Sequence, residues 1–443
     1  MGTLGKTIAA GALAATMLLV GGIGLLRSGD SEPASASAPG RDVRAETSLL
    51  PAAGDLAATI AALEDRIRRA PQDPAALTQL GIAYVTQARV TADPSWYPRA
   101  DEALTEASRL APEDPTTLLG QGILALARHD FEDALRLGER ARRIAPYDAD
   151  VYGVIGDALL ELGRYDEAFD AFQTMVDTKP ELASYARASY ARELLGDVDG
   201  AVAAMRRAFD AAGTPADAAW AAHQLGELEF NRGDVPAARG WFERGLDVDA
   251  GYVPNAAGLA KVAWAEADVE AAIVAYENVV ARFPAVEYVA ALRDLYETIG
   301  RDDLAEQQDA VIEASRQLQT ANGVDPDLEL ALDAADRGDP SDALASARAE
   351  WERRESVHVA DALAWALYAN GEYEEAARYA RRALSLGTRS ASFLFHAGMI
   401  ERALGHDERA LRFLRDALAV NPHFSILHVP IAERAVAELE AGR

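Results

Sequence analysis

Five of the seven histidines, His358, His396, His406, His423 and His428, fall in the C-terminal third of the chain. Neutral imidazole binds transition metals, so this crowding raises a Zn, Ni or Cu site. The spacing argues otherwise. No two of the five stand three or four residues apart, the separation that puts two ligands on one helical face. His423 and His428 fall in a loop before the last helical stretch. Scattered structural histidines are the reading the spacing supports, with metal handling or sensing as the alternative. The chain has no cysteine, which removes disulfides and thiolate ligands. Gly29-Asp30-Ser31 offers a serine, but it stands in a Ser/Ala/Pro/Gly-rich stretch without the strand–turn–helix that a nucleophile needs. No nucleotide loop, HExxH pair, nucleophile elbow or calcium loop occurs. The expectation is a protein that is not an enzyme, with no catalytic residue and no cofactor.

The elements that must position any site announce themselves by period. Alanines recur at Ala100, Ala134, Ala168, Ala201, Ala238, Ala272, Ala305, Ala343, Ala376 and Ala410, in steps of 34, 34, 33, 37, 34, 33, 38, 33 and 34 residues. Other positions keep phase with them. Glycine precedes by five at Gly163, Gly196, Gly233, Gly300, Gly338, Gly371 and Gly405. A bulky residue follows by four at Leu104, Phe172, Met205, Phe242, Tyr276 and Leu414. Proline follows by twelve at Pro112, Pro146, Pro180, Pro284 and Pro422. Glycine suits a left-handed cap ending a first helix. Alanine marks a close crossing of that helix by a second, and the bulky residue one turn on fills the space beside it. Proline closes the second helix. A period in the thirties means one helix pair stacked many times.

On these residues the chain resembles the tetratricopeptide repeat family. Its pattern W-x2-L-G-x2-Y…A-x3-F…P is matched by Tyr152, Ile155, Gly156, Leu159, Ala168, Phe172 and Pro180. A second copy carries Leu225, Gly226, Ala238 and Phe242; a third carries Leu394, Gly398, Ala410, Leu414 and Pro422. The resemblance covers roughly residues 71–422. It implies an all-α fold, a right-handed superhelical solenoid of about ten antiparallel helix pairs. It also implies a concave face lined from the first helices. Carrying the family's offsets onto this chain picks Tyr190, His223, Glu227, Phe230, Lys261 and Trp264, then Asp361, Trp365, Tyr368, Phe395, Met399 and Arg402. These suggest an aromatic-rich groove with isolated charges, suited to anchoring a protein or peptide segment. Truncating Trp365 and Tyr368 is then expected to weaken capture and leave the array folded. Some relatives grip a C-terminal carboxylate with a Lys–Asn–Asn–Lys–Arg clamp, and the matching positions here are apolar or acidic.

The irregular steps place loops near residues 90–98, 213–215 and 322–326, the last following an unbroken helical stretch over 303–320. They divide the chain into a larger sub-array over 51–322 and a smaller one over 323–443. Helices over 55–70 and 430–441 are expected to cap the ends, because terminal repeats otherwise expose an apolar face.

Residues 7–26 hold no charge, and twenty apolar residues at 1.5 Å rise just span a bilayer. Residues 1–27 are expected to form an uncleaved membrane anchor, with a cleaved signal as the alternative, and 28–50 a flexible linker. Either way the repeats face the extracytoplasmic side. The Ala/Arg-rich, lysine-poor composition suggests a bacterial source. A net charge of −28 repels nucleic acid, so no nucleic-acid partner is expected. Together these point to a scaffold in the cell envelope that binds an unidentified protein segment.

Overall fold

The repeated residues act as the period requires. The computed structural model describes residues 56–324, 328–337 and 339–442, and among these no strand occurs. An N-terminal helix, α1 (Leu56–Arg69), precedes helix pairs that stack in chain order. The first helices of the pairs are α2 (Pro74–Thr91), α4 (Pro115–Ala127), α6 (Ala149–Glu161), α8 (Leu182–Leu194) and α10 (Pro215–Asn231). They continue as α12 (Val253–Ala265), α14 (Val286–Thr298), α16 (Leu328–Arg337), α18 (Val357–Ala369) and α20 (Ala391–Ala403). Their second helices are α3 (Tyr97–Leu110), α5 (Phe131–Ile144), α7 (Tyr165–Thr178), α9 (Val198–Asp210) and α11 (Val235–Val248). The rest are α13 (Val269–Arg282), α15 (Asp302–Ala321), α17 (Pro340–Arg353), α19 (Tyr373–Ala383) and α21 (Asp407–Val420). Helix α22 (His428–Ala441) ends the stack. The fold is an all-α solenoid of antiparallel helix pairs.

Every alanine of the ladder is buried, nine of them at 0% exposure and Ala305 at 4%. The bulky partners fill the gaps left by facing glycines. Phe172 lies where a side chain on Gly156 would go, Phe242 serves Gly226 and Gly258 in the same way, and Leu414 serves Gly398. The cap five residues before the alanine is left-handed at Gly163, Gly196, Gly233, Gly300, Gly371 and Gly405. His129 and Ala267 adopt the same conformation in the copies that lack glycine there. The backbone of the turn is therefore set by packing, and glycine only makes it cheaper. Aspartate caps many helices: Asp73, Asp114, Asp130, Asp148, Asp197, Asp234, Asp268 and Asp339 each accept a backbone N–H in the first turn. Part of the acidic excess is thereby explained by helix starts.

The loop expected near residues 90–98 is a short 3-10 turn, Pro94–Trp96, between α2 and α3. Helix α15 is the longest, at 20 residues, and it reaches back to touch that turn. Beyond α15 the stacking changes. Consecutive pairs elsewhere pack second helix on next first helix, whereas α15 and α16 barely meet among the described residues. A charged network bridges the step instead. Arg293, fully buried on α14, donates to Asp333 of α16 at 2.5 and 3.1 Å and to Asp309 of α15 at 3.1 Å, while Arg337 of α16 pairs with Asp294 and Glu297.

The C-terminal pairs of the stack lie against pairs from its middle. The loop before α18 lies on the α6–α7 turn, the loop before α20 on the α8–α9 turn, and the loop after α21 on the α10–α11 turn. In each case a backbone carbonyl, of Glu355, Gly387 or Val420, abuts the left-handed glycine of the facing turn, Gly163, Gly196 or Gly233. Polar contacts repeat the register. Tyr165 Oη accepts from Val357 N at 2.6 Å, Leu194 O from Thr388 Oγ1 at 2.7 Å, and Phe230 O from Asn421 Nδ2 at 2.9 Å. Arg354, buried against the Phe131 ring, pairs with Glu161 at 2.5 Å. The residues that the sequence pattern makes a larger and a smaller sub-array are thus packed side by side.

Candidate functional site: a cavity between the sub-arrays

Between the facing sub-arrays lies a cavity of about 500 Å³. One wall comes from α8, α10, α12 and α14, the other from α16, α18, the start of α20 and the loop after α21. Because successive first helices present the same repeat position to this space, one side chain per repeat forms a row. Tyr190, Glu227 and Lys261 form one such row, eleven residues before Ala201, Ala238 and Ala272, and Glu193, Phe230 and Trp264 form the next, eight residues before the same alanines. Lys261 Nζ donates to both Glu227 oxygens at 2.8 and 2.6 Å and sits 5.1 Å over the Phe230 ring. Burial works against the Glu227 charge, but the ammonium outweighs it and holds this carboxyl below its ordinary range. Glu193 has no such partner. Burial, aided by the charge of Glu227, pushes it up to about 7.

Of the residues picked from sequence, Tyr190, Phe230, Lys261, Trp264 and Asp361 line this cavity. Tyr190 closes one end through its hydroxyl, 2.8 Å from His358 Nε2, and Trp264 meets the His423 ring edge-on at 6.1 Å. Burial and the nearby Arg354 charge push His358 down to about 4, so its ring is neutral at physiological pH. His223 sits deeper, between Phe242 and Tyr252, and burial lowers it to about 4 despite Glu227.

The picks from the smaller sub-array need correction. Trp365 and Phe395 are not groove anchors open to solvent: both are buried, and Met399 with them. The Trp365 indole is stacked between Tyr368 at 4.6 Å and His396 at 4.3 Å, and its Nε1 donates to Asp336 at 2.6 Å. Phe395 is covered by Phe424 and His428 of the C-terminal segment, at 5.6 and 4.5 Å between rings. Arg402 is tied to Glu438 of α22. The physical reason is that residues 423–441 fold back over α20 and occupy the surface the offsets assign to a partner. Only Asp361, 2.9 Å from His396, also reaches the cavity.

The fold brings together histidines that the spacing keeps apart. His396 and His428 lie 5.8 Å apart between rings, with Asp361 and Asp336 beside them. Among the described residues no group of three or more side chains is placed to hold a metal ion. Sequence reasoning also passed over Glu193, although it holds the same repeat position as Phe230 and Trp264.

This architecture agrees with what the chain is similar to. A tetratricopeptide repeat family model matches residues 95–149, 119–183 and 362–423. Over these segments the chain matches tetratricopeptide repeats. The matched segments hold α3 to α7 and α18 to α21, on both sides of the α15–α16 step. No curated protein matches the chain. Among solved structures, it is 16% identical to PilW, a widely conserved type IV pilus biogenesis factor, over 47% of this chain and 97% of that one, with a TM-score of 0.39. A tetratricopeptide repeat protein from Parabacteroides merdae is 16% identical over 59% and 93%, at 0.40. Yeast Tom70 is 14% identical over 87% and 93%, at 0.36. These likenesses concern the repeats and transfer no partner.

Proposed function

We propose that this protein is a non-enzymatic scaffold of the cell envelope, holding a segment of a partner protein in the cavity between its sub-arrays. The single observation that carries the reading is that cavity, walled by successive first helices and lined by mixed aromatic and charged side chains. Stacked helix pairs supply a preformed surface, so little ordering is needed on binding. Tetratricopeptide repeats are generally non-enzymatic and bind protein partners. The envelope location rests on the uncharged stretch over residues 7–26. That stretch and the linker over 28–50 lie outside the described residues; among these, no helix is long and apolar enough to cross a membrane.

Two measurements test the reading. A photo-crosslinking amino acid at Trp264 of the full chain, in its native cells, is expected to capture a protein that the same probe at Tyr147, 90% exposed on the far loop, does not. No capture, or equal capture at both positions, overturns the cavity as the site. Full-length protein is expected to sediment with membranes after a carbonate wash, and a chain beginning at residue 28 to remain in the supernatant. Identical behaviour of the two removes the tether.

A further inference from the structure

Glu193, Glu227 and Lys261, on three successive first helices, supply two carboxylates and one ammonium. Lys261 is spent on Glu227, and among the described residues neither a hydrogen bond nor an ion pair reaches Glu193, whose carboxylate lines the cavity. Across the cavity stands Asp361, 1% exposed, with Oδ2 bound to His396 and Oδ1 without a hydrogen-bond partner. Of the other cations in the lining, Arg232 pairs with Glu229 and Asp199, and Arg389 lies on the exposed rim loop. Asp197 and Asp199 border the same rim and are exposed. The walls between are aromatic: Tyr190, Phe230, Trp264 and Phe393. An uncompensated carboxylate in such a place is costly, and a cation that reaches it relieves the cost.

The protein already shows which cation fits. Lys261 places its ammonium on a glutamate and over a phenyl ring, on the first helices that follow that of Glu193. We propose that the cavity receives the ammonium of a lysine side chain presented by the partner's segment, with Glu193 as its counter-ion and the aromatic walls packing on its methylene stem. This rests on the scaffold reading and specifies the chemistry of what the scaffold holds. A cavity of about 500 Å³ leaves room for the stem and its flanking backbone. An ammonium over an aromatic face adds to the ion pair once water is excluded.

The test uses the full chain and two probes, Ac-Ala-Lys-Ala-NH2 and its isostere with norleucine for lysine, titrated at pH 8 by NMR shift changes. Saturable binding of the lysine peptide is expected, with norleucine at least about tenfold weaker, as loss of one charged hydrogen bond implies. Glu193→Gln is expected to erase this preference and to leave the melting temperature at or above that of the parent. Equal affinity for the two peptides, no saturable lysine binding, or an unchanged preference in Glu193→Gln each overturns the proposal. Crosslinking at Trp264 separates the two readings. A captured protein with no lysine preference sinks the lysine assignment alone, and lysine binding without any captured protein sinks the scaffold.

Discussion

Glu193 and Trp365 are opposite lessons in what one side chain does here. Glu193 is a carboxyl raised from its ordinary value to about 7 in the folded chain. Its sign is therefore destabilising at high pH: folded protein binds this proton more tightly than unfolded protein does, so stability falls as pH rises from about 4.5 to 7 and the full penalty holds above that. Glu193→Gln should stabilise the protein at pH 8 by up to about 3 kcal/mol, less as cavity water screens the charge, and the gain should vanish near pH 4. Urea titrations at the two pH values check this, and a gain independent of pH contradicts it. Trp365 looks like a binding residue in sequence and is core in the fold. Trp365→Ala should cost about 3–5 kcal/mol in urea unfolding and strand Asp336 without its donor. A fully stable Trp365→Ala variant contradicts that placement. Aromatic identity and family offset locate a position on a first helix. They do not say whether the chain's own terminus covers it.

At the scale of the element, the helix pair was almost wholly legible, because everything that makes it recurs. Ala168, Phe172 and Gly156 have local partners, and local packing repeats with the period. The helices at the two ends, α1 and α22, were legible for the same reason. What the period cannot carry is a contact made once, by a backbone carbonyl against a turn many repeats away. Gly196 and Gly371 separate the two cases. Both are left-handed, but a side chain on Gly371 meets open space, whereas one on Gly196 meets Gly387 O of the facing loop. Gly371→Ala should cost about 1–2 kcal/mol, the conformational term alone. Gly196→Ala should cost at least about 1 kcal/mol more, because the facing loop must shift. Equal losses in thermal or urea unfolding contradict the docking of these turns.

For the whole molecule, the sequence supports a one-dimensional stack and the structure adds a second dimension. Tyr165, Tyr190, Leu194 and Phe230 of the larger sub-array are bonded to Val357, His358, Thr388 and Asn421 of the smaller. The ion pair of Arg354 with Glu161 is a charged contact in that seam. Arg354→Met should cost about 3–5 kcal/mol, since Glu161 is left buried without its cation, and should widen the small-angle scattering radius. Adding Glu161→Gln should recover part of the loss, and strict additivity of the two changes contradicts their coupling. The cavity exists because of this seam, so its lining was only half legible. The first-helix offsets found Tyr190, Phe230, Lys261, Trp264 and Asp361. Nothing periodic marks the loop residues His423 to Ile426 that complete the wall.

The three turn-on-loop contacts, Gly163 with Glu355, Gly196 with Gly387 and Gly233 with Val420, share one offset of about 190 residues, between five and six repeats. An open array tolerates gain or loss of a unit, since each touches only its neighbours. Here a duplication or deletion between Gly233 and Glu355, the span common to all three pairs, would slide one rim past the other by a full unit and unseat all three contacts together. The number of units in that span is consequently a fixed count, and this array has given up the freedom to grow.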